Sequence, residues 1–289
     1  MSPAANENTA SLLVSCRDRT GLVATLSNFV FRNGGNIVDL DQHTEHDSGL
    51  FLMRLVWSLQ GFALDRAGIE RQLQAFSSEL GLQWTLTYGD RRPRVAVFVS
   101  QTAHCLYDLL LRRQLGDLRC DIAAVVSNHS TLAGVAAHFD VPFEHHAITP
   151  ETKQAVEDAQ QRRLDELGID LVVLARYMQI LSPAFVDRWR GRIINIHHSF
   201  LPAFIGAKPY HQAWERGVKI IGATAHYVTA DLDQGPIIEQ DVARVSHRDD
   251  VEELVRKGRD LERQVLSRAV RLHLERRVLI SGNRTIVFG

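Results

Sequence analysis

Cysteine is scarce in this 289-residue chain: Cys16, Cys105 and Cys120 are the only three, scattered and odd in number. That excludes a disulfide framework and fits a reducing cytoplasm, and with no CxxC pair there is no ribbon-type zinc site. No apolar run approaches the ~18 residues of a membrane span. The polar start, MSPAANENTA, lacks the basic-then-apolar order of a signal peptide. Charge of one sign is also lacking. With 33 basic and 34 acidic side chains the formal net charge is −1, which gives no electrostatic reason to bind nucleic acid or an anionic membrane. Glycine is absent between Gly89 and Gly116. No GxGxxG or GxxxxGK[ST] loop therefore follows the strand predicted at 94–100, and neither a dinucleotide nor ATP is supported as cofactor.

What is present is the composition of a globular protein, 45% hydrophobic and 23% charged. Histidine is the one excess: 13 residues, more than tyrosine, methionine and tryptophan together. The length allows one domain or two, and the patterning favours two. Residues 10–16 read as a strand and the following DRTGLVATLSNFVFRNGGNI as a helix, with Asp18 or Thr20 as its cap and Gly34-Gly35 as its end. Strands at 36–46 and 49–58 flank the hairpin signal His46-Asp47-Ser48-Gly49. A helix at 65–80 and a strand at 83–88 complete a βαββαβ order, the ferredoxin-like arrangement. Gly89-Asp90-Arg91-Arg92-Pro93 reads as a linker, so the domains are expected at 9–88 and 94–289. In the second, strands at 94–100, 121–127, 141–145, 170–174 and 192–197 alternate with helices. Further strands at 219–228 and 236–245 and a long amphipathic helix at 249–275 follow. The alternation implies a mostly parallel, Rossmann-like α/β sheet.

In open α/β sheets ligands bind beyond the carboxyl ends of the strands. Three polar clusters fall there. Asn195 and His197 lie two apart on one strand and project to one face, where an amide and an imidazole could stabilise charge on a carbonyl oxygen; a polar edge to the core is the alternative. His226 to Gly235 leaves one strand and enters the next, carrying Asp231 and Asp233. A turn, or a loop carboxylate serving as general base, fits it better than a calcium loop, which needs more oxygen ligands and a terminal Glu. Leu174 to Pro183 (LARYMQILSP) leaves a strand as an apolar loop whose backbone groups suit a flat heterocycle, with plain core packing as the alternative.

The run INIHHSFLPAFIGAKPYHQAWERGVKIIGATAHYVTADLDQGPIIEQD resembles the signature region of the folate-dependent formyltransferase fold, over residues 94–289. The resemblance implies a catalytic trio of Asn195, His197 and Asp233. It implies folate contacts at Tyr177, Met178, Gln179, Ile180 and Leu181 and at Thr229, Ala230 and Asp231, with support from His198, His226, Lys208 and Tyr210. The N-terminal pattern D-x-x-G…G-x-N-I resembles an ACT domain, which implies regulation by amino acids such as glycine or methionine near Asp18, Gly21, Gly35, Asn36 and Ile37, and assembly into a dimer or tetramer. The two-domain order is similar to that of hydrolases releasing formate from 10-formyltetrahydrofolate. The alternatives are phosphoribosylglycinamide formyltransferase, whose Gly-rich loop after the first strand is missing here, and a non-catalytic folate-binding regulator. No metal and no cofactor is implied, folate being the substrate.

Overall fold

The computed structural model describes residues 7–202 and 209–289. The chain forms two compact units that part between Arg92 and Pro93. In the first, β1 (Thr9–Arg17), α1 (Leu22–Arg32), β2 (Asn36–Glu45), β3 (Leu50–Ser58), α2 (Arg66–Leu80) and β4 (Gln83–Tyr88) realise the expected βαββαβ order. The sheet runs β2-β3-β1-β4 and its pairs are antiparallel. Helix α1 buries Leu22, Leu26, Phe29 and Val30, one stripe at helical spacing. These pack with Trp57 and Leu55 of β3, and Phe29 meets Trp57 edge-on at 6.2 Å. Each such side chain contributes roughly 1.5–3 kcal/mol by leaving water.

The expected cap of α1 is not found. Gly21 occupies that position at φ 94 with no side-chain cap bond, while the Asp18 amide is committed to the Gly49 carbonyl at 2.8 Å. A left-handed entry suits glycine, and neither Asp18 nor Thr20 can replace it there. Helix α2 is capped by Asp65, which accepts from the Gly68 amide at 2.7 Å, and closes at Gly81.

The second unit contains β5 (Arg94–Val99), α3 (His104–Leu115), β6 (Asp121–Ser127), α4 (Ala133–His138), β7 (Phe143–His145), α5 (Lys153–Glu166) and β8 (Leu171–Leu174). It continues with α6 (Pro183–Arg188), β9 (Ile193–His197), α7 (Pro209–Arg216), β10 (Ile220–Tyr227), β11 (Ile237–Arg244) and α8 (Val251–Leu274). Its seven strands lie in the order β11-β10-β9-β8-β5-β6-β7. Strands β7, β6, β5, β8 and β9 are parallel; β10 runs antiparallel to both β9 and β11. The central strands are buried on both faces, as their unbroken apolar runs require. No helix among the described residues is long and apolar enough to cross a membrane.

Helix α7 and the hairpin β12 (Val278–Ser281) and β13 (Arg284–Val287) have no counterpart in the sequence reading. The hairpin also changes the domain assignment: Arg276–Leu279 and Ile286–Gly289 belong to the first unit, not the second. Phe288 packs against Leu13 and Leu52, with Leu279 and Ile286 beside it. Leu13 faces away from Leu12 and Val14 of the main core, so this cluster covers the other face of the sheet.

Candidate active site

Asn195 and His197 end β9 and project to the same face. The antiparallel partner β10 sets His226 directly opposite Asn195, and Thr224 opposite His197. The pair meets through its side chains: Asn195 Nδ2 lies 3.3 Å from His226 Nε2. The other ring nitrogen, His226 Nδ1, is 2.9 Å from the Tyr227 carbonyl oxygen and must donate to it. In the tautomer protonated at Nδ1, Nε2 is bare and accepts from the Asn195 amide, which fixes which end of that amide is nitrogen. One N–H of Asn195 remains for a substrate oxygen.

Asp233 comes from the β10–β11 loop. Its Oδ2 lies 3.2 Å from His197 Nδ1 and its Oδ1 3.7 Å from His226 Nε2. Its backbone is left-handed, φ 56, an uncommon state for a residue other than glycine and one that gathers at functional sites. The loop closes onto a register shift of β10 against β11 between Ala225 and His226. Gly235 is required there, because a Cβ would lie 1.7 Å from the Tyr227 carbonyl oxygen. The hydrogen bond from His197, and secondarily the nearby His226 ring, holds the Asp233 carboxyl well below the usual carboxylate range, against the opposing effect of burial. With His197 Nδ1–H on Asp233, the other ring nitrogen, Nε2, is buried with no hydrogen-bond partner among the described residues. The site thus aims an imidazole nitrogen and an amide N–H from a β-strand, backed by an ionised carboxylate. This set can receive charge on a carbonyl oxygen and move a proton.

The apolar loop after β8 adjoins β5. Its Met178 amide donates to Ser100 Oγ at 3.0 Å, and Ser100 Oγ donates in turn to Asn128 Oδ1 at 2.6 Å.

Family models agree with this anatomy: that of the formyl transferases matches residues 93–270, and that of the ACT domain residues 10–77. A formyltetrahydrofolate deformylase of Synechocystis is 55% identical over 97% of this chain and 98% of its own length. That of Bacillus subtilis is 46% identical over 98% and 95%. The crystal structure of a formyltetrahydrofolate deformylase from Pseudomonas syringae superposes with TM-score 0.95 at 46% identity, covering 97% of this chain and 94% of that one. This chain belongs to the formyltetrahydrofolate deformylase family. A glycinamide ribonucleotide transformylase from Symbiobacterium toebii is more distant, with TM-score 0.65 and 34% identity over 68% of this chain.

The remaining expected site residues of this deformylase-family chain divide into groups. His198 stacks on His197 with ring centres 5.2 Å apart. Burial, then the neighbouring Arg176 guanidinium, lowers its pKa to about 4, so it is a neutral ring at ordinary pH. Tyr177 and Leu181 turn their side chains into the core, Tyr177 edge-on against Phe98 at 5.3 Å. That leaves the exposed Met178 and Ile180 side chains, partly exposed Gln179 and the loop backbone to face a ligand. Thr229 Oγ1 donates to the Asp231 carbonyl at 3.1 Å, which shapes the loop carrying Ala230, while the Asp231 side chain is exposed. Lys208 lies outside the described residues. Tyr210 donates to a buried carboxylate, Glu262, at 2.7 Å.

In the first unit Asp18 and Gly21 are not beside Gly35 and Asn36. Arg17 pairs with Leu50 and Asn36 with Ser58, at opposite ends of β3, so within one chain the expected regulatory residues form two separate groups.

The sequence reading missed Glu262 and gave Arg176 and His104 no role. A signal for Glu262 exists: it falls on the buried stripe of α8 between Leu261 and Val265, where a carboxylate requires partners. His104, Cys105 and Glu262 bring possible metal donors within 4.8 Å of one another. The positive charge in this place is already supplied by Arg176, 3.5 Å from Glu262, and burial holds Cys105 as a thiol, so the set does not suit a metal.

Proposed function

We propose that this chain hydrolyses 10-formyltetrahydrofolate to tetrahydrofolate and formate, feeding one-carbon and purine metabolism. The observation that carries the reading is the four-residue cluster Asn195, His226, Asp233 and His197, in which neighbours hold Asn195 Nδ2, His226 Nδ1 and His197 Nδ1 while His197 Nε2 is buried with no partner among the described residues. In this reading the remaining Asn195 N–H and His197 Nε2, carried on one face of β9, meet the formyl oxygen. The water oxygen bonds to the formyl carbon while the carbonyl oxygen gains negative charge under the Asn195 amide and the protonated His197 ring. Asp233 orients the water and keeps His197 in place. Held as a strong carboxylate, it is a weak base, so the water proton passes to it only as the C–O bond forms. The C–N10 bond then breaks, N10 takes the proton from His197 Nε2, Asp233 returns its proton to His197, and the formic acid product leaves as formate with its own proton passing to solvent. No metal and no organic cofactor takes part, because every group in this scheme is an acid, a base or a hydrogen-bond donor.

Further proposals attach to this reading. The enzyme works in the cytoplasm, in keeping with three buried cysteines scattered along the chain. The first unit binds glycine or methionine and mediates assembly into a dimer or tetramer through the open strand edges of its sheet. Titration of each amino acid against turnover, and mass measurement in solution, test these points; an unchanged rate with both would remove the effector proposal.

The deciding assay is formate release from 10-formyltetrahydrofolate with no acceptor added. Release at catalytic rate is expected. Formyl loss only when glycinamide ribonucleotide is supplied would make the chain a transferase, and loss in neither case a folate-binding regulator. The transferase reading is disfavoured by the absence of glycine between Gly89 and Gly116, where β5 meets α3.

A further inference from the structure

His198 stands at the site with ring nitrogens that the chemistry above leaves unused. Strand alternation would send its side chain to the face opposite His197. Strand β9 ends at His197, however, and the chain turns there, so the two imidazoles stack with ring centres 5.2 Å apart and planes 29° from parallel. The second ring contact of His198 is Tyr210, at 6.3 Å. The side chain is half-buried, and its ring makes no hydrogen bond among the described residues. Burial and the Arg176 guanidinium keep the ring neutral, so one nitrogen carries a hydrogen and the other a free lone pair.

The turn that brings His198 back is built into the sheet. His197, Thr224 and Gln240 form one row across it: Thr224 of β10 is opposite His197, and Gln240 of β11 is opposite Thr224. The Thr224 hydroxyl is fully buried. It donates to the Ser199 carbonyl at 2.9 Å, and accepts from the Leu201 amide at 3.1 Å and from Gln240 Nε2 at 2.9 Å. A hydroxyl has one hydrogen and two lone pairs, and here all three are taken. Gln240 Nε2 also donates to the Leu201 carbonyl at 3.2 Å. These bonds grip the backbone directly after His198. Phe200, in the same turn, can lie against β10 because residue 222 is glycine: a Cβ there would be 2.8 Å from Phe200 Cβ. The place of His198 is thus fixed by the sheet, while its own ring stays unbonded.

We propose that His198 is a further catalytic residue, whose free ring nitrogen accepts a hydrogen bond from one O–H of the attacking water while Asp233 accepts from the other, with Thr224 and Gln240 as the positioning residues that hold it there. The proposal rests on the hydrolase reading above and deepens it. Stacked on His197, the His198 ring is within one water molecule of a formyl group held at His197 Nε2. With both hydrogens of the water held, a lone pair is aimed at the formyl carbon before reaction starts. The first proton follows the path given above, to Asp233. The second stays on the oxygen while the C–O bond forms and the C–N10 bond breaks, and so becomes the acid proton of formic acid. His198 takes that proton as formate leaves, passes it to solvent and is neutral again. Its pKa of about 4, near the ~4 of an ordinary carboxyl group, lets the ring accept the proton and release it to neutral solvent.

The test separates the nitrogens of His198 from its packing. His198→Phe keeps a ring stacked on His197 and removes both nitrogens; His198→Ala removes ring and nitrogens together. Single-turnover formate release from 10-formyltetrahydrofolate is measured for the full-length chain, beside the dissociation constant of tetrahydrofolate. Both variants are expected to bind tetrahydrofolate as wild type does and to release formate about a hundredfold more slowly, as for loss of one acid–base group. His198→Phe at near wild-type rate would overturn the proposal, whether His198→Ala is slow, the ring then only packing, or fast. So would a loss carried by weaker tetrahydrofolate binding. Thr224→Val keeps the shape of threonine without its hydroxyl and is expected to slow release at unchanged tetrahydrofolate binding, with Thr224→Ser restoring it; a Thr224→Val variant as fast as wild type removes the positioning role. Should His198→Phe not fold, His198→Leu also lacks the nitrogens and is read by the same criteria. Wild type that releases no formate would refute the hydrolase reading and the proposal with it, whereas wild-type release beside an active His198→Phe overturns the proposal alone.

Discussion

Asp233→Asn isolates the charge of the trio from its shape. The amide is isosteric, and its oxygen can still accept from His197 Nδ1 across the 3.2 Å now spanned by the carboxylate. Its NH₂ group faces the bare Nε2 of His226, 3.7 Å away. Folate binding and the β9–β10 register are therefore expected to survive. What is lost is the negative charge beside the His197 imidazolium that faces the developing oxyanion. Two unit charges at this separation interact by ~5 kcal/mol at an effective dielectric constant of ~20. The Asp233 side chain is 13% exposed, and solvent reduces the effect. A loss of about 2–4 kcal/mol remains, or roughly 30- to 1000-fold in the rate of formate release. Single-turnover formate release, set against the dissociation constant of a folate analogue, separates the two contributions. A variant that binds folate and turns over at near wild-type rate would refute the assignment of Asp233.

Other consequences follow from the same geometry. His226→Ala leaves an Asn195 N–H without its acceptor and should lower kcat through a barrier higher by about 1–3 kcal/mol, with little change in KM; an effect mainly on KM would point to a binding role instead. Because the folded Asp233 titrates below its unfolded value of ~3.9, its contribution to stability is complete above that pH and is lost as pH falls toward the folded value. The melting temperature of wild type should thus fall toward that of Asp233→Asn below about pH 4, and parallel curves for the two proteins would contradict the linkage. Gly235→Ala must displace the Tyr227 carbonyl and with it the Asp233 loop, so near-complete loss of formate release and a lower melting temperature are expected; an active, stable alanine variant would show that the loop has another way to close.

Most of the fold was legible because periodicity reports one residue's neighbours along its own element. The stripe Leu22, Leu26, Phe29 and Val30 is readable in this way, and so are the unbroken apolar runs of β5 and β6. Helix α7 was not, because it is only two turns long. The trio was legible through a long motif, and strand alternation correctly places Asn195 and His197 on one face. The partnership of Asn195 with His226 was not, because it depends on the antiparallel register of β9 against β10, which nothing in either strand specifies alone. The surroundings of Glu262 were hidden for a stronger reason. His104 is 158 residues away and Tyr210 52, and each is an ordinary residue in its own segment. Only burial reveals that they need one another.

The placement of Phe288 bears on how this protein is made. Leu13 and Leu52 leave the ribosome early, but the side chain that covers them is synthesised after the whole second unit, and the Arg54 bond to the Arg276 carbonyl spans 222 positions. The first unit can thus form its helix-covered core during synthesis while its other sheet face stays uncovered. Closing so long an intervening segment costs little more entropy than closing one half its length, so the delay is in time rather than in free energy. Until residues 276–289 arrive, the nascent chain carries an apolar surface that a chaperone or a second nascent chain could engage.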